Sequence, residues 1–434
     1  MAVPHKSDTT RNKATQDRLG AIDLPEGGFS GAARVSAMKR LAEMGMPVRR
    51  DEYWRYTDPA DLVRAEAPEA VVFHGTDPQL FGQVDRVTLV FTDGAFDPDA
   101  SDDPSLAGVE ISRLAVADKA DIHWARDLYG VLETRGQTPI NRPLAALNTA
   151  VATDGVLIRV TGRAARPVHL IYNHQSPTSD VMLHHCIKVE PGAELTLLET
   201  GPAAARLNMV TEVDVLEGGR FHHVRAQGRD HSRRAVTHIF ARVAKAAQFK
   251  SFTLTVNGVL TRNEAVIEII GDDAVAHIAG AALGDGVDGV FHHDDTVFIT
   301  HDAVGCESRQ VFKKVLKNGA TGVFQGKILV KKDAQKTDGY QISQALLLDD
   351  DSQFLAKPEL EIYADDVKCS HGSTTGAIDE TALFYLRSRG IEREDATALL
   401  VLSFLADAIE EIDDEALAAD VVARLEAWLA RRKG

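Results

Sequence analysis

Four short units recur in the middle of the chain. They are Pro191-Gly192-Ala193-Glu194-Leu195, Glu217-Gly218-Gly219-Arg220-Phe221, Lys245-Ala246-Ala247-Gln248-Phe249 and Gly271-Asp272-Asp273-Ala274-Val275. Each opens on small or turn-forming residues and closes on an apolar anchor. The anchors Leu195, Phe221, Phe249 and Val275 are 26, 28 and 26 residues apart. Further on, Lys317-Asn318-Gly319 leads to Val323, 48 residues past Val275, a gap that suits two shorter coils, and Asp349-Asp350-Asp351 leads to Phe354. β-Branched and alternating runs lie between the turns, among them Val156 to Val160, Val210 to Val215, Val266 to Ile270 and Thr296 to Thr300, and such runs read as strands. A period in the twenties with short strands in each unit marks a β-solenoid, because one coil cannot bury its apolar face alone and stacked coils can. A sandwich of regular hairpins is the competing architecture.

The flanks have a different period. Residues 1–145 mix helical patches with short extended runs, broken by Ala67-Pro68 and Thr76-Asp77-Pro78. Within them Phe29 to Glu43 reads as an amphipathic helix with Val35, Met38 and Leu41 on its apolar stripe. The run Asp51-Glu52-Tyr53-Trp54-Arg55-Tyr56-Thr57 crowds three aromatics into four positions, which reads as local core. Residues 376–434 read as helices. Asp379 is placed to cap Glu380 to Ser388, and Gly390 to stop it. Leu402, Leu405, Ile409 and Ile412 then recur on one face, as do Leu417, Val421, Leu425 and Leu429 before the basic end Arg431-Arg432-Lys433. These stripes are expected to cover the open end of the solenoid or to dock a partner. The expected fold is therefore mainly β: a right-handed parallel β-helix core over 146–375, between an N-terminal helix-rich domain (1–145) and a C-terminal helical domain (376–434).

Composition excludes several classes of function. A net charge of −16 over 434 residues argues against nucleic acid or an anionic membrane surface as the main partner. No apolar stretch approaches the roughly 18–20 residues of a membrane span. The first thirty residues lack the apolar core of a secretory signal, so a cytoplasmic protein is expected. Only Cys186, Cys306 and Cys369 are present. With no CxxC pair, the chain alone cannot supply the four thiolates of an ordinary iron–sulfur site. Cys186 and Cys306 read as small buried hydrophobes.

Cys369 and His371 carry the chemistry most open to interpretation. On an extended segment, positions two apart share a face. A sulfur and a ring nitrogen then stand side by side, a pairing that suits iron, zinc or copper over calcium or magnesium. The pairs His184-His185, His222-His223 and His292-His293 read either as a ladder of imidazoles or as surface histidines on strands. His293 and the nearby His301 are weaker metal candidates, on a run whose alternation puts His293, Asp295, Val297 and Ile299 on one side. The segment Gly319 to Lys327 imitates a phosphate loop, but Thr321 stands where glycine is needed and Ile328 where magnesium needs a hydroxyl, so this chain is expected to bind no nucleotide. A glycan-active solenoid using Asp294, Asp295, Asp365 and Asp366 is the alternative function. Adjacent residues on a strand face opposite ways, which counts against it.

Several motifs together resemble the SufB/SufD family, the scaffold proteins of SUF iron–sulfur cluster assembly. They are the Glu52-to-Thr57 element, Ser308-Arg309-Gln310, Gly322-Val323-Phe324-Gln325-Gly326-Lys327-Ile328, Ala334 to Gly339, and Lys357 to Gly372 with Leu383 to Ile391. The resemblance is nearly gapless from about 290 to 392. It implies a non-catalytic scaffold subunit that pairs through its solenoid end with a SufB-like chain, or with a second copy of itself. It also implies that the C-terminal helices dock a SufC-type ABC ATPase, and that an iron–sulfur cluster forms transiently at the subunit interface. His371 matches the family's cluster-forming histidine, and Cys369 a cysteine near it. Position 372 is Gly372 where SufB-like chains carry glutamate, and the strand Gln341 to Leu348 lacks their cysteine, so the departures favour the SufD side of the family. The sequence neither requires nor excludes a flavin in the assembled complex.

Overall fold

The computed structural model describes residues 6–72, 80–201, 204–228, 232–287 and 289–431. The Thr76-Asp77-Pro78 turn and the Arg432-Lys433 terminus lie outside these residues. The strands alternate between two sheets. The first sheet starts at the hairpin Val87–Thr92 and Ala95–Asp97 and ends on Asp338–Leu347 and Lys368–Gly376; the second starts at Glu110–Arg113 and Val156–Val160 and ends on Thr321–Val330 and Gln353–Ile362. Beyond the hairpin and the Glu110–Arg113 edge, which are antiparallel, successive coils pair in parallel. Each coil gives one strand to each sheet, which is a flattened β-solenoid and not a sandwich of hairpins. Both sheets begin before residue 146, at Val87 and Glu110, so the N-terminal zone supplies the first coil as well as helices.

Stacked turns are the physical origin of the repeat. Gly192, Gly218, Ala246 and Asp273 all take positive φ. The N–H of each donates to a carbonyl in the turn of the next coil, at Glu217, Lys245, Asp272 and Val304. Glycine enters this left-handed conformation without a Cβ penalty, whereas Ala246 and Asp273 are held there by the stack. This register corrects the fourth anchor. Leu195, Phe221, Phe249 and Ala276 align, while half-exposed Val275 lies one residue off, opposite Gln248. The column continues through Ser308 and Gly339 to Cys369. Val323 belongs to the other sheet, opposite Asp294 and Leu355. The coils therefore lengthen after Ala276, and the 48-residue gap is not a pair of short ones.

Aliphatic and aromatic side chains fill the space between the sheets, each such burial worth about 1.5–3 kcal/mol. Helices cover the two outer faces. Pro143–Val151, Val131–Arg135 and Gly31–Met44 lie over the second sheet. In Gly31–Met44 the buried stripe is Arg34, Ala37 and Leu41, and Val35 faces solvent, because Arg34 is drawn in by Asp118 and by the carbonyls of Ala150 and Ala152. Arg393–Ile409 and Glu415–Arg431 pack Val401, Leu405, Val421 and Leu425 onto the first sheet, fastened by Lys313–Asp407 (2.7 Å) and Lys250–Asp413 (2.6 Å). The C-terminal stripes thus cover a face of the solenoid and leave its end open.

Candidate functional site

The open end is built by the same columns that make the interior. Leu197, His223, Ser251, Ile278, Gln310, Gln341 and His371 occupy one inward-facing row. Each coil roofs the one before it, so His223, Ser251, Gln310 and Gln341 are buried. His371 has no coil above it and is exposed, with no hydrogen-bond partner among the described residues. Beneath it Gln341 donates to Gln310 Oε1 (2.8 Å), and its own Oε1 is buried without a partner. Cys369 ends the neighbouring row. It is half-buried against Ile328, Val330, Ala334 and Leu360, and burial pushes its thiol up from the ordinary value. The two side chains expected to stand together do share the inward face of the last strand, at an edge that lacks a neighbouring strand among the described residues.

The N-terminal aromatic run explains how this end is held. Tyr53 and Trp54 are core residues, Trp54 in one cluster with Leu41, Met46 and Leu62 and Tyr53 in one with Phe29 and Phe298, and Tyr53 also reaches the solenoid's last coil 306 positions away at Glu359. Tyr53 donates to Glu359, and Lys357 bonds Glu52 (2.6 Å) while lying 3.9 Å from the Tyr53 ring centroid. Gln325 Nε2 donates to the Tyr53 carbonyl (3.2 Å). Thr57 donates to Asp294 (2.6 Å), and Arg262 stacks on Trp54 (4.1 Å) while pairing with Asp294 and Glu264. Against the cost of burial, Arg262, His238 and Arg142 hold Glu264 down to about 2. A buried charge network of this kind is costly to break, since any one loss strands a buried charge.

The other sequence candidates fall elsewhere. His293 is buried two coils back, between Lys314 (2.9 Å) and Asn263 (3.2 Å). His301 is buried with Nε2 on Ser308 (2.8 Å). The paired histidines form no ladder, because His222-His223 lies in the first sheet and the other pairs in the second. They are not surface residues either: His184, His185, His223 and His293 are buried, and His184 and His223 contact carboxylates. Asp294 faces Arg262 and Asp295 faces Lys314, both sealed, while Asp365 and Asp366 sit on an exposed turn. No acid–base pair opens to solvent there. Cys306 is a buried hydrophobe whose thiol donates to Gly271 O (3.3 Å).

Sequence reasoning missed a polar line through the interior. Tyr172, His223 and Arg225 converge on Glu199. Arg225 then reaches Thr237 (3.0 Å), and Thr237 donates to Asn263 (2.9 Å). These residues come from different coils, and only the register brings them together.

Residues 171–404, more than half of the chain, match the family of the SUF system FeS cluster assembly SufBD core domain. The chain belongs to this family. Relatives of this SufBD chain span most of its length. The iron–sulfur cluster assembly protein SufD of Escherichia coli K12 is 28% identical over 408 residues, 89% of this chain and 90% of that protein. A SufBD family protein of Synechocystis is 25% identical, covering 87% of this chain and 86% of its own. The chloroplastic protein ABCI7 of Arabidopsis thaliana is 24% identical over 88% of this chain and 84% of its own. The match places the chain in iron–sulfur cluster assembly. Among the described residues no helix is long and apolar enough to cross a membrane.

Proposed function

We propose that this chain is a SufD-type, non-catalytic scaffold subunit whose open solenoid end docks a SufB-like chain, with an iron–sulfur cluster formed as cargo at that contact. One observation carries the reading: the inward row buried in every earlier coil is uncovered at the last, so His371 and Cys369 meet whatever covers the end. A second polypeptide that continues the sheets would bury the edge and add its own ligands to an incomplete set. Imidazole is a weaker iron ligand than thiolate, which suits a cluster that has to leave. A second copy of this chain is the other occupant of the same end.

The ATPase contact is assigned to the C-terminal helices. Phe384 and Tyr385 on Glu380–Ser388 are 72% and 55% exposed, and Leu399 adds a third apolar side chain. An apolar face of this kind on a charged surface marks a docking site. The cluster, and any flavin, belongs to the assembled complex.

Co-expression with a SufB-like chain and a SufC-type ATPase tests both contacts. His371→Ala is expected to leave the complex assembled but to cut the cluster's visible absorbance, and the activity of a cluster-dependent reporter, by at least about tenfold. Unchanged reporter activity would refute the cluster role. Phe384→Asp is expected to lose the ATPase from the purified complex while SufB-like pairing persists. It is a cleaner test than deleting residues 393–434, which also strips the first sheet of its cover.

A further inference from the structure

A second sulfur–imidazole pair lies under the N-terminal helices. His184 and Cys186 are two apart on the strand Asp180–Val189 and share its outer face, and Cys186 is in register with Glu212 on Arg206–Val215. One ligand atom from each of the three lies within 4.8 Å of the others, and all three residues are fully buried.

The surrounding hydrogen bonds fix where the lone pairs point. Asn148 Nδ2 donates to the carbonyls of Leu183 (3.0 Å) and Asn208 (2.8 Å), so its Oδ1 faces His184 Nδ1 at 3.1 Å. Nδ1 must therefore carry a hydrogen. Nε2 then meets Glu212 Oε2 at 2.9 Å. That carboxylate already accepts the N–H of Gly130 on Oε2 (2.5 Å) and of Glu133 on Oε1 (2.8 Å). An imidazole lone pair and a carboxylate lone pair cannot face each other in a dry interior without a cation between them, either a proton or a metal ion.

The third donor favours the metal. The Cys186 sulfur has no hydrogen-bond partner among the described residues. One nitrogen, one sulfur and one oxygen make a zinc-type donor set, and the Nδ1–H bond to Asn148 is the outer contact that orients a metal-binding histidine. We propose that His184, Cys186 and Glu212 form a structural zinc site that pins the N-terminal helical layer to the solenoid. Uptake of Zn²⁺ releases two protons, one from the thiol and one from the His184–Glu212 contact. The thiolate and carboxylate then balance the ion, so no net charge is buried. Donors around tetrahedral zinc stand roughly 3.3–3.8 Å apart, so the 2.9 Å nitrogen–oxygen contact opens by about 0.4 Å while separations of up to 4.8 Å close by about 1–1.5 Å. The fourth position takes a water or the second oxygen of Glu212. Gly130, Glu133, Asn148 and the Tyr129 ring, 4.2 Å from the His184 ring, all belong to the helical layer, which is why the ion would join two parts of the fold.

The full chain carrying Cys306→Ala and Cys369→Ala, which leaves one thiol, provides the test. Expressed with added zinc and dialysed against a chelator, it should retain about one zinc per chain by elemental analysis. Loaded with cobalt, it should show a thiolate-to-cobalt charge-transfer band. Adding Cys186→Ala should remove the band and drop retained metal to under about a tenth. Metal absent from the single-thiol protein, or retained after Cys186→Ala, overturns the site. Should Cys186→Ala fail to fold, zinc-edge X-ray absorption of the single-thiol protein decides: one sulfur among nitrogen and oxygen neighbours supports the site, and a sulfur-free shell overturns it.

Discussion

His184-x-Cys186 and Cys369-x-His371 are nearly the same local unit, a sulfur and an imidazole two apart on a strand, and they have opposite fates. The first sits mid-stack under a layer of helices, with its imidazole bonded on both nitrogens. The second sits on the last strand, where nothing roofs the inward row and His371 has no hydrogen-bond partner among the described residues. What separates them is position in the stack. A covered polar group must find partners inside the fold, and an uncovered one keeps its donor capacity for another molecule.

The contrast can be broken from the covered side first. Burial holds His169 down to about 3, with Arg86 adding to it, and burial holds His238 down to about 4, against an ordinary 6.5. The unfolded chain therefore takes up protons before the folded one. This stabilisation is complete above pH 6.5 and is lost as pH falls from 6.5 toward 4 for His238 and toward 3 for His169. Each of these histidines should tilt the stability curve by about 1.4 kcal/mol per pH unit, measurable by urea denaturation across that window. A flat curve would mean that these rings titrate freely. Next in size, His184→Ala should destabilise the chain by about 3–5 kcal/mol, since Glu212 loses a buried partner. Within the single row that ends on His371, Gln341→Ala should cost about 2 kcal/mol, through the lost bond to Gln310 and the space left behind. His371→Ala should change stability by less than about 0.5 kcal/mol while abolishing the cluster signal in the complex. Equal thermal shifts for these last two variants would erase the distinction between roofed and unroofed positions.

Much of this was legible in the chain. The turn repeat at Gly192, Gly218 and Ala246 exposed the solenoid because the left-handed turns stack directly on one another. It failed at Val275 because Gly271 looks like the turn residue while Asp273 takes the positive φ, and one residue of slip exchanges inside for outside. The helix stripes at Leu405, Leu417, Val421 and Leu425 were readable from spacing, but not which surface they cover. Tyr53 and Trp54 read as local core and do pack among N-terminal residues, yet their further partners Glu359 and Arg262 come from distant coils. Glu212 carried no signal at all, since its neighbours His184 and Cys186 lie more than twenty positions away.

Local sequence by itself determined the period of the earlier coils, the sulfur and nitrogen on one face at residues 369 and 371, and the amphipathic helices at both ends. Those properties depend on residue spacing along a strand or a helix, which the chain carries directly. Only the tertiary structure decided which histidines are sealed, which carboxylates they meet, and that the last row stays open. Burial depends on what is stacked above a residue, and in a solenoid that neighbour lies a whole coil away.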